Sequence, residues 1–68
     1  MMKKTINIEG MSCNHCVSHV KEALTDINGV NVLEVSLEEK KAIVETEVDN
    51  SILINAIEDE GYDVKSIE

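Results

Sequence analysis

The only two cysteines of this 68-residue chain, Cys13 and Cys16, lie three positions apart in the stretch GMSCNHC. Two thiols at this spacing suit three chemistries: a structural disulfide, a redox-active dithiol, or a site for a soft metal ion. On a helix, residues three apart have Cβ atoms about 5–6 Å from each other, so both sulfurs can face one point. The elements around the pair must decide which chemistry it can perform.

The pattern around the thiols predicts a strand followed by a helix. Ile6 and Ile8 alternate with polar residues and end at Gly10, which is typical of a half-buried strand. From about residue 14 to Ile27, apolar residues recur at helical spacing, and Asn28-Gly29 is predicted to end this helix. The pair therefore lies at a strand-to-helix junction, with Cys13 in the loop and Cys16 in the first helical turn.

The second half of the chain predicts a hairpin, a helix and a last strand. Residues 31–37 place Leu33, Val35 and Leu37 on one side, and residues 42–48 alternate again after the charged turn EEKK. The run SILINAIEDE predicts a helix that ends at Gly61, and YDVKSI predicts the final strand.

The resulting order, βαββαβ, predicts an α+β fold: a ferredoxin-like sandwich with a four-stranded antiparallel sheet and two helices on one face. Residues 1–68 are expected to form a single domain, because a chain of this length rarely holds more than one.

Helix geometry favours metal binding by the thiols, although a dithiol redox site and structural thiols stay open at this point. The free N–H groups of a helix N-terminus lower thiol pKa values, and the thiolate is the form that binds metal. Two thiolates select soft ions. A closed structural zinc site would need four ligands, and the chain has no second cysteine pair. Cu(I) accepts two thiolates, and such an open site allows an incoming thiolate to take the metal.

The composition of the chain argues against several classes of function. The net charge is −8, which argues against nucleic acid as a partner. The charge is uneven: residues 1–34 carry four acids and three lysines, whereas residues 35–68 carry ten acids and three lysines. No secretory signal and no apolar run of about 20 residues are present, which predicts a soluble cytoplasmic protein without direct membrane insertion. Thiols in the cytoplasm stay reduced, so a permanent disulfide is disfavoured.

The stretch GMSCNHC, followed by VSHVKEALTDINGV, resembles the Gly-Met-x-Cys-x-x-Cys motif of the heavy-metal-associated domain family. The resemblance covers essentially the whole chain, and the late Gly61-Tyr62 is most similar to the free-standing bacterial copper chaperones of that family. It implies Cu(I) bound by Cys13 and Cys16, and delivery to a copper-transporting P-type ATPase or a copper-responsive regulator. Ser12 stands where zinc- and cadmium-type relatives commonly carry aspartate, which favours copper.

Four further residues near the thiols are candidates to support the site, two of them suggested by the resemblance. Met11 matches the motif methionine, which usually packs under the loop, and Tyr62 matches a position near the metal loop. His15 lies between the cysteines and could tune the thiolates or provide a third donor. His19, one turn further along, forms an i, i+4 pair with His15 and is interpreted as a surface residue.

Several alternatives remain beside the copper chaperone. Ag(I) shares the softness of Cu(I) and could replace it. The chain could be an excised N-terminal metal-binding domain of a copper ATPase, and a monomer could be bridged by metal into a dimer. A thiol-disulfide oxidoreductase is the rival from another class; the absence of tryptophan and proline, typical around thioredoxin-type pairs, argues against it. No hydrolase or transferase motif is present, so an enzyme is not predicted.

Overall fold

The computed structural model describes residues 2–68 and has the predicted βαββαβ order. The strands form one antiparallel sheet in the order β2-β3-β1-β4, with β2 and β4 at the edges. The ferredoxin-like prediction is therefore confirmed. The elements are β1 Met2–Glu9, α1 Asn14–Thr25, β2 Val30–Ser36, β3 Lys41–Thr46, α2 Asn50–Asp59 and β4 Asp63–Ile67.

The core lies between the sheet and the two helices, and Thr46 is the one polar residue buried in it among residues 2–68. Alternate residues of the two central strands, β1 and β3, point toward the helices, as the period of two predicts. Each helix buries one stripe against them. The buried hydrophobic residues are Ile6, Ile8, Met11, Val20, Leu24, Ala42, Val44, Leu53 and Ile57.

The prediction that Leu33 shares a buried face with Val35 and Leu37 is wrong for Leu33, whose side chain is 47% exposed. Strand β2 pairs with β3 through Val32 and then through Glu34, so the register shifts at the residue between them. An extra residue in one strand reverses which positions face the core. The inward side chains are consequently Val30 and Val32 before the shift and Val35 after it.

The first helix ends earlier than the glycine signal predicts. Helix α1 stops at Thr25, and the N–H of Asp26 donates to the carbonyl of Glu22 at 3.0 Å. Gly29, with φ +90°, instead turns the chain into β2. A residue with a side chain would be strained at that backbone conformation, so this glycine is needed for the connection and not for the helix end.

Three connections between elements, β1–α1, β2–β3 and α2–β4, lie at the same end of the sheet. Strand β1 runs toward the thiol loop, and the antiparallel strand β4 begins there, with Glu9 opposite Asp63. The β2–β3 turn also reaches this end, because the N–H of Ile8 donates to the carbonyl of Lys40 at 2.9 Å. Within residues 2–68, neither helix combines the length and the apolar character that crossing a bilayer requires.

Candidate metal centre

Cys13 and Cys16 lie at the start of α1, one at its cap and one in its first turn. Cys13 is the N-cap residue, with extended backbone angles, and its carbonyl accepts the N–H of Cys16 at 3.0 Å. No side chain caps this helix, and its first turn contains no acidic residue. The free N–H groups of the first turn therefore give the thiols a locally positive environment.

The two sulfurs lie close together without being bonded. Their Sγ atoms are 3.7 Å apart, and both cysteines are free thiols. A disulfide requires about 2.05 Å between sulfurs, whereas two thiolates at the observed separation can share one ion. Cys13 is exposed and Cys16 is half-buried against the core, so the pair is accessible from one side only.

Tyr62 is brought to the pair by the end of α2. The N–H of Gly61 donates to the carbonyl of Glu58 at 2.9 Å, and the N–H of Tyr62 donates to the carbonyl of Ile57 at 3.4 Å. Together with the left-handed φ of +95° at Gly61, these two bonds form a Schellman motif. The motif fixes the direction in which the chain leaves α2 and so places Tyr62 over the thiol loop.

The Tyr62 hydroxyl lies where it can donate a hydrogen bond to the Cys16 thiolate, and it is the main group that stabilises this thiolate. With additional hydrogen bonds from the Ser12 backbone and from Cys13, it lowers the pKa of Cys16 from 9.0 to about 6, against the opposing effect of burial. The same bond raises the pKa of Tyr62 to about 12, because loss of the phenolic proton would break it. At neutral pH Cys16 is therefore mainly thiolate, the form that acts as metal ligand.

The loop before the pair is fixed at its base. Met11 is 3% exposed and belongs to the hydrophobic core, as expected for a residue that packs under the loop. Gly10 has φ +103°, and a Cβ at this position would lie 3.6 Å from Cδ1 of Tyr62. A side chain at position 10 would thus be strained and would also crowd the aromatic ring.

The structure brings together Cys13, Cys16 and Tyr62 at this site but leaves His15 outside it. The side chain of His15 is exposed on α1 and makes no hydrogen bond or ion pair within residues 2–68. Over the same residues, no three His, Cys, Asp or Glu side chains converge to hold a metal. The sequence gives no signal for the contact between the Ser12 backbone and Cys16, because a main-chain contact does not depend on residue identity.

The sequence matches the model of the family named "Heavy-metal-associated domain" over residues 5–63. The chain belongs to this family. It is 47% identical over 68 residues to "Copper chaperone CopZ" of Staphylococcus haemolyticus, with 96% of this chain and 100% of that protein covered. It is also 50% identical over 62 residues to "Mercuric reductase" of Shewanella putrefaciens, a match that spans 88% of this chain and 11% of the larger protein.

Solved structures show the same fold. "CopZ metallochaperone" superposes with a TM-score of 0.87 at 44% identity, covering 93% of this chain and 98% of that one. A copper binding domain from HMA7, a P-type ATPase, superposes with a TM-score of 0.85 at 30% identity, covering 98% of this chain and 99% of that one. Proteins of this fold thus include both separate metallochaperones and domains of larger proteins.

Proposed function

We propose that this chain is a copper chaperone that binds Cu(I) through the thiolates of Cys13 and Cys16. The observation that carries the proposal is the position of the two sulfurs, 3.7 Å apart at an uncapped helix N-terminus with a low Cys16 pKa. A positively polarised site with two thiolates favours a soft cation over a hard one. Ag(I) would substitute for Cu(I), since it has the same preference for sulfur.

The coordination supports transfer of the metal and not its permanent storage. Two donors leave the ion open on the exposed side of Cys13, so a thiolate of another protein can attack there. The ion then passes through a shared-thiolate intermediate and is never released as a free ion. Tyr62 and Met11 hold the loop during this exchange, and His15, exposed and next to Cys16 in the sequence, is proposed to contact the partner.

The negative charge near the site favours a partner with a basic surface. Two acids lie within two residues of Tyr62 in the chain, Glu60 and Asp63, and the charge of Glu60 contributes to the raised pKa of the tyrosine. Asp63 pairs with Glu9 of β1, whose side chain lies 3.5 Å from Lys65. Acids beside the thiols repel acidic surfaces and steer a partner with lysine or arginine residues around its own thiols. The proposed partner is the metal-binding domain of a copper-transporting P-type ATPase, or a copper-responsive regulator, in the cytoplasm. This chain would meet the partner as a monomer.

We include the whole of residues 1–68 in one domain. Beyond the end of the family match, β4 continues to Ile67, which packs against the core. The backbone groups of Glu68 exchange hydrogen bonds of 2.8 and 2.9 Å with those of Thr5. These contacts tie the end of the chain to the central strand β1, which supports one cooperative unit.

The metal site is tested by competition with a strong Cu(I) chelator under anaerobic conditions. The unmodified chain should withdraw Cu(I) from the chelator, whereas Cys13→Ser with Cys16→Ser should not. Ser18→Ala, an exposed change on the same helix, is the matched control and should bind as the unmodified chain does. X-ray absorption of the loaded protein should report sulfur ligands only and fewer than four of them. Equal binding by the double serine variant would contradict the proposal.

Hand-over is tested with a Cys-x-x-Cys domain of a copper ATPase as acceptor. Transfer from the loaded chain should slow as salt concentration rises, because exposed charges are screened. Glu60→Gln with Asp63→Asn should slow transfer at low salt, while Asp26→Asn, at the far end of α1, should leave it unchanged. Equal rates for all three proteins at every salt concentration would remove the steering part of the proposal.

The low pKa of Cys16 also suits a thiol-disulfide oxidoreductase, which is the second candidate. Insulin reduction by the metal-free chain discriminates the two, and we expect no turnover. The partial match to a mercuric reductase favours testing Hg(II) beside Cu(I) as a soft ion that two thiolates also bind. The same match keeps open the alternative of an excised domain, which continuation of the native reading frame beyond Glu68 would establish.

A further inference from the structure

A second group of metal-ligating side chains lies on α1, outside the thiol pair. His15 and His19 are four residues apart on this helix, so their Cα atoms are about 6 Å apart along the axis and about 40° apart around it. Both side chains are exposed, and neither makes a hydrogen bond or ion pair within residues 2–68. Two imidazoles in this arrangement can chelate one ion from the same helix face.

One chain supplies only half of the ligands that such an ion needs. Imidazole nitrogen suits borderline divalent cations, and Zn²⁺ prefers four ligands in a tetrahedron. No third His, Cys, Asp or Glu side chain joins the two histidines in the part of the chain that the structure describes. A second copy, related by a two-fold axis, would complete the set with its own two imidazoles.

The charge distribution allows two copies to approach through this helix. Helix α1 carries only one lysine, Lys21, and one acid, Glu22, among its 12 residues. Residues 35–68 hold ten of the 14 acids of the chain. Helix α1 itself is therefore nearly neutral, and the like-charge repulsion at such a contact comes from acids outside the helix, such as Glu60 near Tyr62, which a bound divalent cation would offset.

We infer that His15 and His19 of two copies bind one divalent cation of the zinc class and join the chains through α1. This site uses nitrogen donors and divalent ions, in contrast to the sulfur site proposed for Cu(I), and it does not depend on that function being correct. The bridged form would bring the two cysteine pairs, which lie beside these histidines in the sequence, to the same interface.

The test uses Zn²⁺ alone, added to the full chain with Cys13→Ser and Cys16→Ser so that the thiols cannot bind it. Calorimetry should give one ion per two chains, and sedimentation velocity should show a dimer that a chelator dissociates. Far-ultraviolet circular dichroism checks the fold. If the serine variant does not fold, the unmodified chain with alkylated thiols takes its place.

The matched variants change the number or the spacing of the imidazoles. His19→Gln in the same background should abolish the zinc-dependent dimer. His19→Gln with Thr25→His keeps two histidines and the net charge but separates them by ten residues, about 15 Å along the helix, and should also remain monomeric. A dimer that persists in either variant, one Zn²⁺ per chain without a dimer, or no zinc binding by the parent chain would overturn the inference.

Discussion

Replacing Tyr62 by phenylalanine isolates the hydrogen bond that activates Cys16. The substitution is made beside Cys13→Ser, so that one thiol titrates alone, and the aromatic ring stays against Gly10. Because the Tyr62 hydroxyl is the largest cause of the low pKa, we expect the pKa of Cys16 to rise from about 6 toward the ordinary value of 9.0.

The size of the effect follows from the pKa. A thiol with a pKa of about 6 is about nine-tenths ionised at pH 7, and a rise of one unit reduces this to about one half. Ultraviolet absorbance of the thiolate, titrated with acid, measures the ionised fraction directly. Alkylation rates at pH 7 should fall as well, although a more basic thiolate is also a better nucleophile and offsets part of the loss.

The same bond makes the stability of the metal-free protein depend on pH. The folded pKa of Cys16 lies below its unfolded value, so stabilisation by the thiolate is complete above pH 9 and is lost as the pH falls through about 6. Urea unfolding of the Cys13→Ser protein should therefore show a gain in stability between these pH values. The gain should be smaller after Tyr62→Phe.

Two results would refute this reasoning. One is a Cys16 pKa near 9 in the Cys13→Ser protein, since the thiolate would then have no special stabilisation. The other is an unchanged low pKa after Tyr62→Phe, which would assign the effect to the helix N-terminus and the backbone instead. Circular dichroism serves as the control for the fold of both variants.

Three further predictions concern the fold that holds the site, and urea unfolding at fixed pH measures each. Leu53→Ala should lower the free energy of unfolding by about 2–5 kcal/mol, because Leu53 is fully buried. Ile52→Ala is the control and should change it by about 0.5 kcal/mol, because Ile52 is 45% exposed. Equal effects of the two substitutions would refute the core assignment. Lys40→Gly should raise the free energy of unfolding by roughly 0.5 kcal/mol, because φ is +57° there and glycine adopts this conformation freely, whereas the same change at Glu38 in that turn should lower it. Thr46→Val should cost about 1–2 kcal/mol, because its hydroxyl donates to Gly29 at 2.8 Å and accepts from Val48 at 3.1 Å; no loss would mean that water replaces these bonds.

The order of elements could be predicted because hydrophobic periodicity depends on local geometry. Ile6 and Ile8 require a period of two to reach one face, and Val20 with Leu24 requires a helix. The prediction for Leu33 was wrong because the position of its side chain depends on strand pairing and not on local periodicity alone. The sequence of one strand does not show that it contains an extra residue, because the register shift exists only in the pairing of β2 with β3.

For the candidate site, the sequence could predict which side chains are involved, but it could not predict all of the contacts between them. The spacing of Cys13 and Cys16 was sufficient to bring the sulfurs together, because three residues at a helix start fix their separation. Tyr62 lies 46 positions after Cys16, and only a resemblance suggested their proximity. His15, closer in sequence, lies exposed on α1 and makes no hydrogen bond or ion pair within residues 2–68.

The sequence by itself determined the pair of thiols, the helix that polarises them and the acidity of the second half of the chain. All of these depend on residue type and on neighbours within about one helical turn. Only the tertiary structure decided that β4 pairs beside β1 and that the Schellman motif after α2 directs Tyr62 onto Cys16. Such contacts join segments far apart in the chain, and packing of the whole core, which no short stretch encodes, sets the distance between them.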